Sequence, residues 1–192
     1  MAKENNFYSY ISRMKNINRW GLMRNTRYES LSEHSFETAV IAHALALIYN
    51  RNNEDKVNAD KIAVMALFHD ASEIITGDMP TPVKYSSEEM KNIYKGVEKE
   101  AKATLISMLP EELKDEYLCA FSPEGTEKII LKAADKLSAV IKCIEEINMG
   151  NHDFDVAYTT LLQSVKELDF TPSNIFLEEF LPGFYRTLDE QK

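Results

Sequence analysis

The sequence contains only two cysteines, Cys119 and Cys143, and this scarcity limits its covalent and metal chemistry. The pair forms no CxxC motif, so the chain has neither the framework of a disulfide-rich domain nor the ligands of a cysteine-based structural zinc site. Unpaired cysteines are usual where thiols stay reduced. We therefore expect no disulfide framework and a cytoplasmic location.

Positive charge and long apolar runs are also scarce. Lysine and arginine total 22 against 31 aspartates and glutamates, which gives a net charge of −9. Binding of long nucleic acid relies on neutralising many phosphates, so this acidity argues against such a partner, whereas a mononucleotide needs only one local basic pocket. No apolar run approaches a membrane span, and residues 1–6 do not have the composition of a signal peptide. We expect no membrane partner.

What the sequence does contain is helical periodicity. Apolar residues recur at helical spacing through most of its length, and no convincing alternating strand, internal repeat or long linker interrupts them. A chain of 192 residues fits one domain with a substantial core. We predict an all-α fold, a single domain over residues 1–192 built from about seven to nine helices.

Polar caps and helix breakers set the predicted boundaries. Ser30 to Glu33 is a possible capping box for a second helix, and Asn58 can cap the third. The segment 18–27 is irregular and carries the only tryptophan, and the two prolines and glycine of 76–82 preclude a regular helix there. The predicted helices cover residues 6–18, about 31–50, 59 through the segment around 70, 86–108, 110–121, about 126–150, 153–168 and 172–190, the last bent at Pro182.

One apolar helical segment, residues 62–68, leads directly into His69 and Asp70, with Glu73 one turn later. Burial of such groups is costly unless they are paired, hydrogen-bonded or bound to a metal. On a continuous helix, Glu73 lies four residues after His69 and three after Asp70, so all three share roughly one side. An imidazole with two carboxylates is a candidate for part of a metal site.

The remaining histidines supply one further candidate ligand. His34 lies at the start of the second helix, and His43 lies nine residues later, about half a turn away around the helix axis. These two side chains should therefore face opposite directions. His34 is the preferred ligand, His43 an ordinary side chain, and His152, in a polar turn after Gly150, a surface residue.

Asp135 is the remaining carboxylate candidate. The small residues Ala133 and Ala134 precede it and allow close helix approach, although Asp135 could also pair with Lys132 or Lys136. His34, His69, Asp70 and Asp135 together offer two nitrogen and two oxygen donors. This mixed set suits Mn, Co, Fe or Zn better than Ca or Mg.

The pattern His…His-Asp…Asp in a helical chain resembles the HD-domain metal-dependent phosphohydrolases. Five blocks in this order closely resemble the bacterial 5'-deoxynucleotidase branch, the YfbR type: Ile17–Trp20, Ser32–Ser35, His69–Glu73, Thr76–Tyr85 and Ala133–Asp135. The resemblance implies hydrolysis of 2'-deoxyribonucleoside 5'-monophosphates to deoxynucleoside and phosphate. It also implies a homodimer and one divalent metal per subunit, Co²⁺ or Mn²⁺ first and Zn²⁺, Fe²⁺ or Ni²⁺ as alternatives.

Roles for the other matched residues follow from the resemblance. Arg19 is expected to clamp phosphate oxygens, although taken alone it could be an exposed loop arginine. Glu73 is expected to act as general base or to orient water, the alternative being a solvated helix-end charge. Trp20 could belong to the core, and Asp78 could be a turn-former after Gly77. The full expected substrate-binding set is Arg19, Trp20, Asp70, Asp78, Met79, Pro80, Thr81 and Asp135.

Within this set, Trp20 and Asp78 would narrow the space around C2' and exclude a ribose hydroxyl. Because the loop from Asp78 to Thr81 has few charges, we expect shape recognition and broad base tolerance. Two rivals remain: a nucleoside triphosphate or alarmone hydrolase, which would need more positive charge than Arg19 and Lys84 provide, and a non-catalytic metal or nucleotide sensor. The small number of well-placed histidines argues against a two-metal phosphodiesterase.

Overall fold

The structure, a computed structural model, describes residues 5–84 and 86–192. Residues 1–4 of the N-terminal segment and Tyr85, the last residue of the fourth block, lie outside this description. Over the described ranges the regular elements are all helical, and β pairing is limited to an isolated bridge between Asn18 and Ser30. The predicted all-α fold is therefore confirmed.

The α-helices have the following bounds: α1 Phe7–Ile11, α2 Leu31–Asn52, α3 Ala59–Phe68, α4 Glu73–Thr76, α5 Thr81–Lys84, α6 Glu88–Ser107, α7 Glu111–Ala120, α8 Gly125–Asn148, α9 Asp155–Lys166 and α10 Thr171–Ile175. Short 3₁₀ segments cover Ser12–Asn16, His152–Phe154, Leu181–Tyr185 and Leu188–Gln191, and a π-helical segment covers Phe176–Phe180. No helix of the described chain is long and apolar enough to cross a membrane.

The long helices α2 and α8 pack against each other and against α3, and this contact forms the main core. Its centre is fully buried and apolar, with Leu45, Ile62, Leu137 and Ile141 at 0% exposure. A second apolar cluster around Phe7 joins α1 to α6 and α7. The site residues of α2 and α8 therefore project from helices held by a dry core, which restrains their relative positions.

The two ends of the chain depart from the predicted helices. The helix predicted over residues 6–18 becomes 3₁₀ at Ser12 and ends before Ile17, whose extended backbone accepts a 2.8 Å hydrogen bond from the Leu31 N–H. The helix predicted over 172–190 is interrupted after Ile175 and again around Pro182, which has no N–H to donate. Tertiary pairing and proline thus shorten both helices.

The helix expected to run through the His69 region instead ends at Phe68. His69 Nδ1 lies 2.7 Å from the Ala66 carbonyl oxygen, and the next residues make tight turns, with the Ala71 N–H bonded to the Phe68 carbonyl. Glu73 then begins the separate four-residue helix α4. The expectation that His69, Asp70 and Glu73 share one continuous helix is wrong, because the His69 side chain occupies the carbonyl that a continuing helix would use.

The loop predicted over residues 76–82 is largely confirmed. Gly77 has φ +75°, a conformation that side chains with a Cβ rarely adopt, and it ends α4. The break is shorter than predicted, because α5 already begins at Thr81 with Pro82 in its first turn. That position tolerates proline, since its missing N–H has no helical partner there.

Candidate metal centre and substrate site

Four of the predicted site residues come together from three separate parts of the chain. His34 lies in the first turn of α2, His69 and Asp70 follow α3, and Asp135 lies in the middle of α8. One potential ligand atom from each lies within 4.8 Å of all the others. His34 Nε2 lies 3.2 Å from Asp135 Oδ1, and His69 Nε2 lies 3.0 Å from Asp70 Oδ2. Such a cluster can surround a single cation.

Local sequence explains how each element presents its side chain. The capping box predicted at the start of α2 is present: Ser30 accepts from the Glu33 N–H, and the Glu33 carboxylate accepts from the Ser30 N–H at 2.8 Å. This fixes the turn that carries His34. On α8, Ala133 and Ala134 are fully buried, and their small size allows the close helix approach that precedes Asp135.

Each of the two imidazoles has one ring nitrogen that is available to bind a metal. His69 Nδ1 donates its hydrogen to the Ala66 carbonyl, which can only accept, so Nε2 of a neutral His69 carries a lone pair. Nε2 of His34 and Nε2 of His69 are both buried without a hydrogen-bond partner in the described structure. Buried polar atoms normally have partners. Two such nitrogens beside two carboxylates fit a divalent transition metal.

Charges within the cluster favour bound positive charge. Burial raises the pKa of Asp70 and of Asp135, but the adjacent His34 and His69 outweigh this effect and lower both pKa values below the usual range. Burial lowers the pKa of His69, whereas Asp70 and Asp135 raise it to a value well above normal. The carboxylates therefore stay ionised, and a cation that takes the place of the extra proton on His69 meets two negative charges.

The other predicted histidine assignments agree with the structure. His43 points away from the cluster and lies 3.3 Å from Asp60, and His152 is exposed beside Asp155. The alternative pairing of Asp135 with Lys136 does not form, since Lys136 Nζ donates to Ser164 Oγ at 2.7 Å.

Glu73 is 7% exposed and close to the cluster but outside it. Its Oε2 is buried with no hydrogen-bond partner among the described residues. Burial, followed by the negative charges of Asp70 and Asp78, raises the pKa of Glu73 to about 9. The solvated helix-end alternative is therefore wrong, and Glu73 is a buried carboxyl group with one oxygen available to a further ligand.

Arg19 and Trp20 converge on a glutamate that sequence reasoning did not identify. Arg19 Nη1 donates to Glu29 Oε2 at 2.9 Å, and Trp20 Nε1 donates to the same oxygen at 2.8 Å. The Arg19 side chain is 13% exposed, so the exposed-loop alternative is wrong. Trp20 has φ +61° and packs against Phe154, with ring centroids 5.3 Å apart.

The charge on Arg19 also faces the cluster. Burial lowers the pKa of Arg19, but the carboxylates of Glu29, Asp135, Asp70 and Asp78 raise it above its usual value. Arg19 is thus a buried, permanently charged guanidinium beside two of the potential metal ligands.

Asp78 connects the loop after α4 to this arginine segment. It accepts a hydrogen bond from the Trp20 backbone N–H, and burial raises its pKa. Met79 and Pro80 are half-buried, and Thr81 is exposed at the start of α5. Lys84 Nζ donates to Glu98 at 2.7 Å and lies over the Tyr94 ring, so its charge is already compensated.

Three neighbouring polar residues were missed by sequence reasoning: Glu29, Glu37 and Ser138. Ser138 follows Asp135 by three residues and Glu37 follows His34 by three, so each shares a helix face with a potential ligand. That spacing could have identified them. Glu29 had no such signal, because its contact with Arg19 depends on how the irregular segment folds back. Glu29 and Glu37 also line a cavity of about 580 Å³ whose apolar wall includes Phe36, Val40 and Phe180.

Comparison with known proteins gives the family. The family model described as 5'-deoxynucleotidase YfbR-like matches residues 6–184. The 5'-deoxynucleotidase YfbR of Escherichia coli is 46% identical over 193 residues, covering 98% of this chain and 96% of its own. A 5'-deoxynucleotidase of Cronobacter sakazakii is 44% identical over 190 residues, covering 97% of this chain and 96% of its own.

Solved structures agree with the fold. An HD-domain phosphohydrolase from Listeria innocua superposes with a TM-score of 0.81 at 27% identity, covering 93% of this chain and 88% of that one. The HD phosphohydrolase DatZ of cyanophage S-2L gives a TM-score of 0.66 at 22% identity, covering 93% and 96%. With its family model matched over nearly the whole length, this chain belongs to the 5'-deoxynucleotidase YfbR-like family of HD-domain phosphohydrolases.

Proposed function

We propose that this protein is a metal-dependent 5'-deoxynucleotidase that hydrolyses 2'-deoxyribonucleoside 5'-monophosphates to deoxynucleoside and phosphate. One observation carries the proposal: the partly buried His34, His69, Asp70 and Asp135 cluster lies beside the charged Arg19. A cation site next to a guanidinium suits a phosphate ester. The relatives named 5'-deoxynucleotidase, at 44–46% identity over nearly the full chain, support the substrate class.

In this proposal, His34 and His69 would hold the metal through Nε2, and Asp70 and Asp135 would hold it through carboxylate oxygens. When bound, a divalent metal supplies Lewis-acid activation of water and of the phosphate group. The hydrogen bond from His69 Nδ1 to the Ala66 carbonyl orients that imidazole before any ligand arrives. Asp70 and Asp135 also border the substrate phosphate.

Glu73 would handle the proton of the attacking water. A general base must be ionised, and additional positive charge beside Asp70 lowers the pKa of Glu73 from the value of about 9 that its burial and carboxylate neighbours produce. Its free Oε2 is the atom available to that water. The alternative role is to orient the water without removing its proton. Replacement by glutamine separates the two roles, because an amide can orient water but cannot act as a base.

Arg19 would bind the phosphate oxygens, with Trp20 and Asp78 forming the wall around C2'. Glu29 fixes Arg19 and Trp20 through one carboxylate oxygen, and Asp78 accepts from the Trp20 backbone. A wall fixed in this way can exclude a ribose hydroxyl by sterics and unpaired polarity. Met79, Pro80 and Thr81 would complete it with little charge, which supports broad base tolerance.

Charge argues against the triphosphate and alarmone alternative. Extra phosphates require further cations. Among the described residues, Arg19 interacts with the cluster carboxylates Asp70 and Asp135, whereas Lys84 is paired with Glu98, so little positive charge is available for further phosphates. A metal or nucleotide sensor would not require Glu73 to be buried with an unpartnered oxygen, which supports the enzyme instead.

We propose Co²⁺ or Mn²⁺ as the activating metal, with Zn²⁺, Fe²⁺ or Ni²⁺ as alternatives for the same donor set. The cyanophage DatZ structure contains dA and one catalytic Zn²⁺ ion, so Zn²⁺ is a necessary comparison. At 22% identity, the cyanophage structure is evidence for the fold alone. The metal proposal rests instead on the nitrogen and oxygen donors of His34, His69, Asp70 and Asp135.

We further propose that residues 1–192 act as one domain in a cytoplasmic homodimer. The exposed side chains of Phe36, Val40 and Leu47 on one face of α2 support a protein contact there. Free Cys119 and Cys143 are compatible with a reducing compartment. Light scattering tests the dimer, and cell fractionation tests the location.

The decisive experiment measures phosphate release from dAMP and AMP in parallel. The protein is first stripped with EDTA and then supplied with Co²⁺, Mn²⁺, Mg²⁺ or Zn²⁺. We expect activity to return with a transition metal and to favour dAMP. Equal turnover of dAMP and AMP would refute deoxy-specificity, and no turnover with any metal would favour the sensor.

A further inference from the structure

We propose that Ser138 and Glu37 form a hydrogen-bond relay that fixes the tautomer of His34 and so prepares its Nε2 for the metal. This inference rests on the proposed function, in which His34 is a metal ligand. In the proposed relay, Ser138 and Glu37 are positioning residues. They act through His34 and are not themselves ligands of the metal or the substrate.

The relay crosses the contact between α2 and α8. His34 Nδ1 lies 3.0 Å from Ser138 Oγ, and Ser138 Oγ lies 2.6 Å from Glu37 Oε2. His34 and Ser138 are both fully buried. Glu37 is half-buried and lines the cavity of about 580 Å³, so the relay leads from the buried imidazole towards water.

Counting hydrogens along the relay determines its direction. Burial raises the pKa of Glu37, and the hydrogen bond from Ser138 lowers it. In its ionised form Glu37 has no hydrogen to donate, so the single hydroxyl hydrogen of Ser138 is directed to Glu37. Ser138 Oγ must then accept at its other contact, and His34 Nδ1 must donate. A neutral His34 consequently has its lone pair on Nε2, the atom 3.2 Å from Asp135 and 3.6 Å from Asp70.

A second hydroxyl near His34 cannot replace this relay. Thr38 Oγ1 lies 3.4 Å from His34 Nδ1, which is 0.4 Å farther away than Ser138 Oγ. A bond at that distance is weak. Ser138 therefore fixes the imidazole, whereas Thr38 is a secondary neighbour.

The arrangement for His34 parallels the one for His69, whose Nδ1 donates to the Ala66 carbonyl. Both imidazoles are thus held by Nδ1 and offer Nε2. Partners of this kind orient a ligand and raise its basicity, and their loss costs about 10–100-fold in metal affinity. We expect the replacement Ser138→Ala to weaken metal binding within that range.

The experiment uses two readouts on the full-length protein. The first is ¹⁵N NMR of the histidine side chains in metal-free protein, which reports the tautomer of His34 without any metal or substrate. The second is calorimetric titration of Zn²⁺ and, separately, Co²⁺ into the same protein. The variants are Ser138→Ala and Glu37→Gln, the latter because an amide can donate to Ser138 and permit the opposite tautomer.

Ser35→Ala is the matched control. Ser35 is also buried, lies next to His34, and has a hydroxyl oxygen with no hydrogen-bond partner in the described structure. The Ser35→Ala replacement removes one buried hydroxyl but leaves the hydrogen bonds among His34, Ser138 and Glu37 in place. We expect unchanged tautomer and metal affinity for Ser35→Ala, mixed tautomers and weaker binding for Ser138→Ala, and a smaller loss for Glu37→Gln.

Three results would overturn the relay: an Nε2–H tautomer of His34 in the wild type, wild-type affinity in a folded Ser138→Ala protein, or no metal binding by the wild type. If the Ser138→Ala protein does not fold, the Glu37→Gln protein provides the test. A wild-type His34 tautomer together with wild-type metal affinity in Glu37→Gln would also overturn the relay. Metal binding without hydrolysis of any nucleotide would refute the proposed function and leave the relay intact.

Discussion

Arg19 and Glu29 are joined twice: Arg19 Nη1 donates to Glu29 Oε2 at 2.9 Å, and the Arg19 backbone N–H donates to the Glu29 carbonyl at 2.9 Å. Trp20 Nε1 shares the same carboxylate oxygen. Two expected substrate contacts therefore depend on one side chain that is 10% exposed. We therefore propose that Glu29 influences substrate binding through Arg19 and Trp20.

Replacement of Glu29 by glutamine should reduce kcat/KM for dAMP by roughly tenfold or more, because hydrogen bonds to charged groups contribute about 1.5–3 kcal/mol. Since Trp20 also loses a charged acceptor, the preference for dAMP over AMP should fall as well. Steady-state kinetics on both nucleotides measure the two effects.

Glu98→Gln is the control for this variant, since Glu98 forms a comparable ion pair with Lys84 at 2.7 Å. We expect nearly wild-type discrimination between dAMP and AMP for Glu98→Gln. An equal fall in discrimination for both variants would show that Glu29 has no special role.

Replacement of Glu73 by glutamine should lower kcat by about 10²–10⁴-fold, the usual contribution of a general base. Metal affinity should change little, because Glu73 lies outside the four-residue cluster. Single-turnover phosphate release and metal titration separate the two effects. If Glu73→Gln retains full kcat, the general-base role is wrong, because an amide can still orient water but cannot take its proton.

Much of this site followed from sequence alone because its chemistry is local. The cap at Ser30, the cap at Asn58 and the opposite facing of His34 and His43 depend on neighbours within a few residues. The all-α class followed from periodicity for the same reason. Such features are determined by hydrogen bonds and geometry within one helix.

The rest depended on contacts between distant segments. The fixed position of Arg19 results from Glu29 across a folded-back loop. The end of α3 at Phe68 is an exception, because there the His69 side chain competes locally for the carbonyl of Ala66, three residues earlier. The relay from His34 to Ser138 joins residues 104 positions apart. Periodicity cannot specify which polar residues meet across a packed interface.

Glu146 provides a stability prediction that depends on pH. Burial raises its pKa, but bonds from Lys142, the Thr26 N–H and Asn151 outweigh that effect and lower the pKa to about 2. A carboxylate with a depressed folded pKa stabilises the protein above its unfolded pKa of 4.5, and this stabilisation is lost as pH falls towards 2. The shift corresponds to about 3 kcal/mol.

The stability difference between wild type and Glu146→Gln should therefore be largest at pH 6 and should shrink between pH 4.5 and pH 3. Urea unfolding at several pH values measures it, and subtraction of the two curves removes the titration of other groups. A difference that stays constant with pH would mean that Glu146 has the same pKa in the folded and the unfolded protein.

The proposed homodimer predicts that a charge on the exposed face of α2 dissociates the two subunits. Phe36 is 67% exposed and Val40 is 56% exposed on the same helix face. Phe36→Glu would bury an unpaired carboxylate in that interface, which costs several kcal/mol when it has no partner. Light scattering with size-exclusion chromatography should find a dimer for the wild type and a monomer for this variant.

Val156→Glu is the matched control, because Val156 is 77% exposed on α9. We expect this replacement to leave the dimer intact. A monomeric wild type would refute the homodimer, and a dimeric Phe36→Glu protein would locate the interface elsewhere.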